Sequence, residues 1–374
     1  MRDLLDRPLA TALAALLFGC AVVAVQLARE GDVSAFVRAA PPWVDPASAP
    51  SGLRVGTAGY DGQFYYALAL DPLTDRRTEH GVTFDRPAYR QQRIVYPLLG
   101  WAVSLGQAGR VPWSLVLVNL VGLFAIGLIG AQLALGARRH ALWGLLFPLY
   151  PGFVITVTSD LTEIVAAVFV LAALLWLRGQ RTLRAAGALS LAVLSRETTV
   201  LLAATAGLGA LVASWRQPRR WAPLLLPGMA LIVWQIFLAS RWHETATAEG
   251  TTALSPPLLG LLVAVWSDPQ RFAPARLAVW AGILAFVMAM VVVGARSLGS
   301  SIPRYERWAW SVYLALAALL EANIWATGGV LRALTELAML TALFALTASR
   351  SLRTALLALE IALSGVLVAT GLRI

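Results

Sequence analysis

The chain consists mainly of long apolar runs separated by short polar connections. A run of about 20 apolar residues is long enough to cross a bilayer as one helix. The runs do not alternate apolar and polar residues, as the strands of a membrane β-barrel would. The pattern predicts an all-α fold, in which a single polytopic membrane domain is a bundle of about eleven transmembrane helices.

The predicted spans follow the apolar runs in order. The first runs roughly from Pro8 to Leu27 and is expected to be retained, since no small-x-small cleavage site precedes Arg29. The others are predicted at 113–135, 141–157, 162–178, 184–195, 198–214, 221–239, 276–295, 308–325, 332–348 and 354–371. Segment 184–195 is short for a span, so a broken helix is expected there.

A long polar loop over 28–112 follows the first span. We divide the domain into a catalytic-type module over 1–215, which contains this loop, and a C-terminal helical module over 216–374. Short helices are expected in the non-membrane segments. One, over 65–70, should end at the Asp71-Pro72 pair, because Pro cannot continue a helix.

Two further apolar pieces, 94–107 and 258–266, are too short to span a bilayer comfortably. We expect both to lie as helices in the membrane interface.

Composition narrows the class of protein. The 374 residues are 59% hydrophobic and 13% charged, which excludes an ordinary soluble domain. The net charge is +10, and all 30 basic residues are Arg. A basic chain can bind nucleic acid, but these arginines cluster in the short connections between apolar runs. The positive-inside rule explains that placement, so membrane lipids are the expected surroundings and no nucleic-acid partner is expected.

The arginines also predict which side of the membrane each connection occupies. With the N-terminus in the cytoplasm and 94–107 not spanning, every short inside connection is rich in Arg. If 94–107 spanned, all later connections would swap sides and the rule would fail. The loop over 28–112 is therefore predicted on the outer face. The inside connections carry Arg2, Arg7, Arg138, Arg139, Arg178, Arg181, Arg184, Arg216, Arg219, Arg220, Arg296, Arg304, Arg307, Arg350 and Arg353.

Asp61 lies in the stretch AGYDGQFYYALALDP, which a helix bundle does not need in order to fold. Gly59 and Gly62 permit tight backbone geometry beside it. A carboxylate at the membrane surface can act as general base toward an acceptor hydroxyl. In that role it should line an outer cavity, free of any salt bridge to a distant surface arginine. The alternative is an Asp whose side chain caps the following helix.

Asp160 and Glu163 are further catalytic candidates at the predicted outer start of a helix. Their spacing is that of a capping box with Asp in place of Ser or Thr, which would be a structural role. Glu163 lies one turn deeper, where an unpaired carboxylate costs more free energy, and this favours function.

Arg93, Arg196 and Arg332 lie at predicted outer ends of apolar segments, against the positive-inside preference. The guanidinium fork matches a phosphate or pyrophosphate headgroup. The alternative is snorkelling or ion pairing. We predict that the three converge on one outward-opening cavity. Further substrate contacts are predicted at Arg90, Tyr60, Gln63, Tyr65 and His243.

Motifs for other chemistries are missing from the sequence. Three His and one Cys provide no zinc constellation. There is no phosphate-binding glycine loop, dinucleotide fingerprint or serine nucleophile elbow. We therefore expect no metal, no cofactor and no soluble nucleotide substrate.

The arrangement resembles the C-type glycosyltransferase superfamily: an N-terminal helix, a long outer loop with an acid beside aromatics, an interfacial helix and a helix array. Segment 60–72 looks like the first-loop motif of bacterial members and is distantly similar to the WD-x-x-x-Y motif of the mannosyltransferases of GPI-anchor assembly. Segments 90–98, 159–163 and 195–197 resemble the interfacial segment, the second outer acid and the later arginine. The resemblance covers about 1–215 by architecture.

What the resemblance implies is an enzyme of the bacterial inner membrane with its active site on the outer face. It would transfer a sugar, with inversion, from a polyprenyl-phosphate donor to a lipid or glycan acceptor, with Asp61 as base. The large soluble outer domain of some members is missing, which puts a protein acceptor in doubt.

Two other functions compete with this interpretation. The first is a transporter or flippase for a lipid-linked or anionic substrate. Transporters usually show internal repeats and polar residues at the midplane, whereas here polar residues collect on one face. The second is a non-catalytic membrane subunit. Such a subunit would not need the acids and arginines that collect on the outer face, so they disfavour this interpretation.

Overall fold

The computed structural model of the chain describes residues 7–246, 254–268, 273–299, 302–326 and 329–371. Within them the fold is helical, as predicted, and the sheet consists of one small hairpin. The helices, numbered in chain order, are α1 Pro8–Glu30, α2 Gly62–Leu70, α3 Pro87–Gln91, α4 Val95–Ser104, α5 Val111–Gly136, α6 Gly152–Thr158, α7 Glu163–Arg178, α8 Thr182–Ser195, α9 Val200–Ser214, α10 Pro218–Trp221, α11 Leu226–Trp242, α12 Leu259–Ser267, α13 Pro274–Ser297, α14 Arg304–Ala318, α15 Ala322–Ala326, α16 Gly329–Ala333, α17 Thr335–Ala345 and α18 Arg350–Thr370.

Six helical segments in the described part of the chain are long and apolar enough to cross a membrane. They are Pro8–Glu30, Val111–Gly136, Glu197–Ser214, Pro218–Trp242, Arg276–Ser297 and Arg350–Thr370. The predicted count of about eleven spans is not confirmed. Two of the other predicted spans correspond to α7 and α8, with 16 and 14 residues. At about 1.5 Å of rise per residue, both are shorter than the hydrocarbon core.

The prediction of one continuous helix over 141–157 is wrong. The segment divides into a 3₁₀ helix, Ala141–Leu146, and the seven-residue α6. Pro148 and Pro151 lie between them, and each lacks the N–H that a continuing helix would need. The predicted span over 332–348 is likewise divided, between α16 and α17.

Small residues let the first two long helices approach closely. A Cβ at Gly127 of α5 would lie 2.9 Å from the Cα of Ala12 and 3.0 Å from the carbonyl oxygen of Thr11. Close approach through Gly and Ala is a common way for membrane helices to associate without an aqueous hydrophobic driving force.

The long loop is folded onto one end of the bundle, which we call the loop face. Asp32 accepts a 2.9 Å bond from Ser34 N and so caps the 3₁₀ helix Val33–Val37. The strands β1 Thr78–Glu79 and β2 Val82–Thr83 form an antiparallel hairpin. All nine residues of α2 are buried, and the helix ends before Asp71-Pro72 as predicted.

Arginines at the opposite end of the bundle have structural roles. Arg139 Nε donates to Leu346 O at 3.0 Å and Arg353 Nη1 donates to Ala348 O at 2.5 Å, both just after α17. Arg178 forms two bonds of 2.9 and 2.7 Å with Glu306. These arginines therefore donate hydrogen bonds to backbone carbonyls that follow the C-terminus of α17 and to the buried carboxylate of Glu306.

Candidate functional site

Asp61 lies in a cluster of ion pairs on the loop face. Its Oδ1 accepts a bond from Arg90 Nη1 at 2.8 Å, and its Oδ2 accepts one from Arg332 Nη1 at 3.1 Å. The completely buried α2 fixes the backbone that follows it. Gly62 is required there, because a Cβ would collide with the carbonyl of Ser159 and lie 2.7 Å from Val37 O. The Asp61 loop and the Asp160 loop are thus packed together.

One sequence-based expectation for the Asp61 side chain needs correction. It makes no capping hydrogen bond to α2, so the capping alternative is wrong. Its distant partner is Arg332, 271 positions away in the sequence, which is itself buried and is not a surface arginine. The physical reason is burial: the side chain is only 22% exposed, and a buried carboxylate needs charged or hydrogen-bonding partners.

These partners determine the protonation state of Asp61. Burial alone would raise the pKa of its carboxyl, but Arg90 and Arg332 outweigh that effect and hold the pKa well below its usual range. Asp61 is therefore ionised at neutral pH. This is the state that a general base requires, although a lower pKa makes it a weaker base.

Arg332 connects Asp61 to Glu163. Glu163 Oε1 accepts bonds from Arg332 Nε at 2.9 Å and lies 2.8 Å from Arg332 Nη2. The hydroxyl of Tyr60 accepts a bond from Arg332 Nη1 at 2.6 Å. One guanidinium thus holds two predicted catalytic acids and the tyrosine that precedes Asp61.

Asp160 differs from the other acids of the site. It is fully buried, has a φ of 47°, and neither carboxylate oxygen has a hydrogen-bond partner among the described residues. Burial raises the pKa of its carboxyl well above the usual range, which favours the neutral form of the group. The predicted capping box is wrong, because Thr162 holds the cap position of α7 and no side chain caps it.

The other two predicted phosphate-binding arginines join the same cluster. Arg93 forms bonds of 2.9 and 2.6 Å with Glu197 and one of 3.4 Å with the Tyr65 hydroxyl. Arg196 Nη1 donates to Arg332 O at 2.6 Å, and its Nε lies 3.4 Å from Glu336 Oε1.

The structure brings Arg93, Arg196 and Arg332 together, but each already has a carboxylate partner. With Arg90, the pairs described here contain four guanidiniums and five carboxylates, the fifth being Asp85, which pairs with Arg90 at 2.7 Å. When all are ionised, the cluster carries one excess negative charge. A phosphate bound here would have to displace a carboxylate.

Two predicted contact residues lie outside the cluster. The Gln63 side chain is buried and accepts a 3.2 Å bond from Ala40 N, so it holds the long loop. His243 is exposed at the end of α11, and the contacts of the cluster do not include it.

Glu336 and Asp85 were not singled out from the sequence. Glu336 follows Arg332 by four residues, but its ion-pair partner is Arg196, from a distant segment, so spacing along the sequence gave no signal for this contact. Among the described residues, no group of three or more His, Cys, Asp or Glu side chains is placed to hold a metal ion.

Chemically, the site combines an ionised carboxylate held at two points, a buried carboxyl with a raised pKa and a tyrosine bonded to arginine. Comparisons of the chain with protein-family models, curated proteins and solved structures found no match.

Proposed function

We propose that the chain is an integral membrane glycosyltransferase of the bacterial inner membrane. It would transfer a sugar, with inversion, from a polyprenyl-phosphate donor to a hydroxyl of a lipid or glycan acceptor. The observation that carries the proposal is the convergence of Asp61, Glu163 and Tyr60 on Arg332, from segments far apart in the sequence. Such a charged cluster is costly to bury, and bundle formation does not require it.

Asp61 would be the general base. Its ionised carboxylate would take the proton of the acceptor hydroxyl as that oxygen attacks the anomeric carbon from the face opposite the departing phosphate. Arg90 and Arg332 would keep the carboxylate ionised and oriented. Glu163 would position Arg332, and the buried Asp160 would lie one loop away. The arginine distribution favours placing this face outside the cytoplasm.

An assay with purified full-length protein tests the proposal. The protein in detergent is offered a panel of polyprenyl-phosphate sugars together with a bacterial membrane lipid extract as the source of acceptors. We expect one sugar to yield free polyprenyl phosphate above the level of a mock purification. If no sugar does so, the glycosyltransferase proposal is rejected.

One observation favours the transporter or flippase alternative. Glu360 lies within the candidate span α18, is 2% exposed, and its Oε2 has no hydrogen-bond partner among the described residues. Ser364, one turn further along, donates at 3.3 Å to Leu149 O, in the interrupted segment between the 3₁₀ helix and α6. Transporters often contain a buried carboxylate within a span and an interrupted helix packed against that span.

The two functions make different demands on Glu360. Glu360→Gln should leave sugar release unchanged if the chain is a glycosyltransferase. In proteoliposomes, loss of movement of a fluorescent polyprenyl phosphate between leaflets in this variant, with wild type active, would favour the alternative.

A further inference from the structure

An apolar groove lies between α4, α5 and α7, outside the acid cluster. Its volume is about 300 Å³, and no polar side chain lines it. Leu117 and Val121, which line it from α5, are about half exposed. On α7 the groove residue Val165 follows Glu163 by two positions, a spacing that places side chains on different faces of a helix. The groove is therefore on the exposed side of the bundle, and the acids are on the other side of α7.

The groove has the depth and length of one leaflet of a bilayer. Its central helix, α5, is a candidate membrane span. This helix begins at the loop face, where the Tyr66 hydroxyl donates to Ala108 O at 3.5 Å. The groove residues on α5 extend from Leu117 to Ala125, which is about 12 Å along the helix axis. One leaflet contributes roughly 15 Å to the hydrocarbon core, so the groove can hold a lipid chain.

Arg110 lies at the loop-face end of this groove. It caps α5 with helical dihedral angles, φ −100° and ψ −23°. It precedes Leu117 by seven residues, which is almost two full turns, so both lie on the same face, about 10 Å apart along the axis. Trp113, one turn before Leu117, is exposed between them, as is typical of aromatic residues at the membrane interface. Arg110 is thus at the level of the lipid headgroups.

The guanidinium of Arg110 is free to bind an anion. Its side chain is exposed, and only its backbone forms hydrogen bonds among the described residues, with Gln107 and Ser114. Helical side chains tilt toward the N-terminus, which directs this one toward the headgroups. An arginine fork matches the oxygens of a phosphate.

The surroundings of the groove favour a headgroup with net negative charge. The segment over 86–159, which includes α4 and α5, contains no Asp or Glu. The acid in the first turn of α7, Glu163, is bonded to Arg332. The ammonium of a zwitterionic headgroup would therefore find no carboxylate on α4 or α5, whereas an anionic headgroup needs none.

We infer that this groove binds one phospholipid with a net negative headgroup. One chain of the lipid lies in the groove between α4, α5 and α7, and Arg110 holds the phosphate. This inference goes beyond the proposed function and does not rest on it.

Native mass spectrometry of the full-length protein, titrated in detergent with dimyristoyl phosphatidylglycerol, tests the role of Arg110. Arg110→Gln should weaken binding of the first lipid about tenfold or more, because a charge-assisted contact is lost. Arg110→Lys should recover part of the affinity. Arg76→Gln is the matched control and should bind like wild type, since the Arg76 side chain is 74% exposed in the long loop.

Two further comparisons test the groove and the charge preference. Val121→Trp fills the groove and should weaken lipid binding several-fold, whereas Leu135→Trp, at an exposed site of α5 outside the groove, should not. Dimyristoyl phosphatidylethanolamine should bind wild type more weakly than phosphatidylglycerol does, and Arg110→Gln should remove this difference. If Val121→Trp aggregates, Val103→Trp takes its place, because Val103 lines the groove from α4 and is about half exposed.

Four results would overturn the inference. Unchanged phosphatidylglycerol affinity in Arg110→Gln or in the groove-filling variant would contradict the site. Equal affinity of the two phospholipids for wild type would contradict the charge preference. Tighter binding of farnesyl phosphate than of phosphatidylglycerol would assign the groove to an isoprenoid phosphate. A dimer mass that is lost in Val121→Trp would assign it to a second copy of the chain.

Discussion

Arg332→Gln is the substitution whose effect on stability follows most directly from the structure. Arg332 holds Glu163 with contacts of 2.9 and 2.8 Å, Asp61 at 3.1 Å and the Tyr60 hydroxyl at 2.6 Å. The Glu163 side chain is only 2% exposed. Without Arg332, the nearest remaining ion-pair contact of Glu163 among the described residues is Arg196 Nη1 at 4.0 Å.

Removing one partner of a buried ion pair typically costs about 3–5 kcal/mol, because the other charge is left uncompensated. We expect Arg332→Gln to fall in this range. Glu163→Gln should cost less, about 1–3 kcal/mol, because Arg332 keeps its contact with Asp61. The double variant should cost at least about 1 kcal/mol less than the sum of the single variants, since it removes both charges of the pair.

Thermal unfolding in detergent measures these differences. At about 2.1 cal/mol/K of unfolding entropy per residue, 1 kcal/mol corresponds to roughly 1.3 °C in Tm for a chain of 374 residues, so Arg332→Gln should lower Tm by roughly 4–6 °C. Arg76→Gln, at an exposed site, should change it by about 1 °C or less. An Arg332→Gln protein as stable as wild type, or strictly additive single variants, would refute a cooperative buried network.

Two other predictions concern Asp160 and the topology. The pKa of Asp160 is raised in the folded protein, so the folded state binds a proton that the unfolded state loses above about pH 4. The free energy of unfolding should therefore fall by about 1.4 kcal/mol per pH unit between about pH 4, the ordinary pKa of Asp, and the raised pKa. Asp160→Asn removes this contribution, so its Tm relative to wild type should be higher at pH 8 than at pH 4; a constant difference would contradict a raised pKa for the buried carboxyl. In a Cys20→Ala background, cysteines introduced at Ser48 and Gln217 should be labelled from opposite sides of the membrane, and labelling of both from one side would reject the predicted orientation.

The sequence predicted the helical class, and it did not predict the partners of the buried acids. The length of the apolar runs identifies α1 and α5, because each is one uninterrupted apolar helix of more than 20 residues. It fails over 141–157, where composition stays apolar while Pro148 and Pro151 break the backbone. Apolar composition reports burial, and it does not distinguish a membrane span from short helices packed inside a bundle.

The partners of the acids depend on distant segments. Asp61 sits beside glycines at the start of a helix, and both features suggested a cap. The carboxylate instead forms an ion pair with Arg332, which lies 271 positions later in the sequence. The spacing of residues that are close in the sequence gives no information about a contact between such distant segments.

Transfer of sugar by Asp61→Asn is the measurement that tests the central proposal most directly. Asn keeps the size of the side chain and one acceptor oxygen but cannot take a proton. The donor sugar that wild type uses is supplied at saturation, and free polyprenyl phosphate is measured. Asp71→Asn is the matched control, because Asp71 is exposed at the end of the same helix and accepts a 3.2 Å bond from Leu73 N. We predict a loss of roughly 10²–10⁴-fold for Asp61→Asn and near wild-type transfer for Asp71→Asn. Near wild-type transfer by a folded Asp61→Asn protein would contradict the assignment of Asp61 as the base.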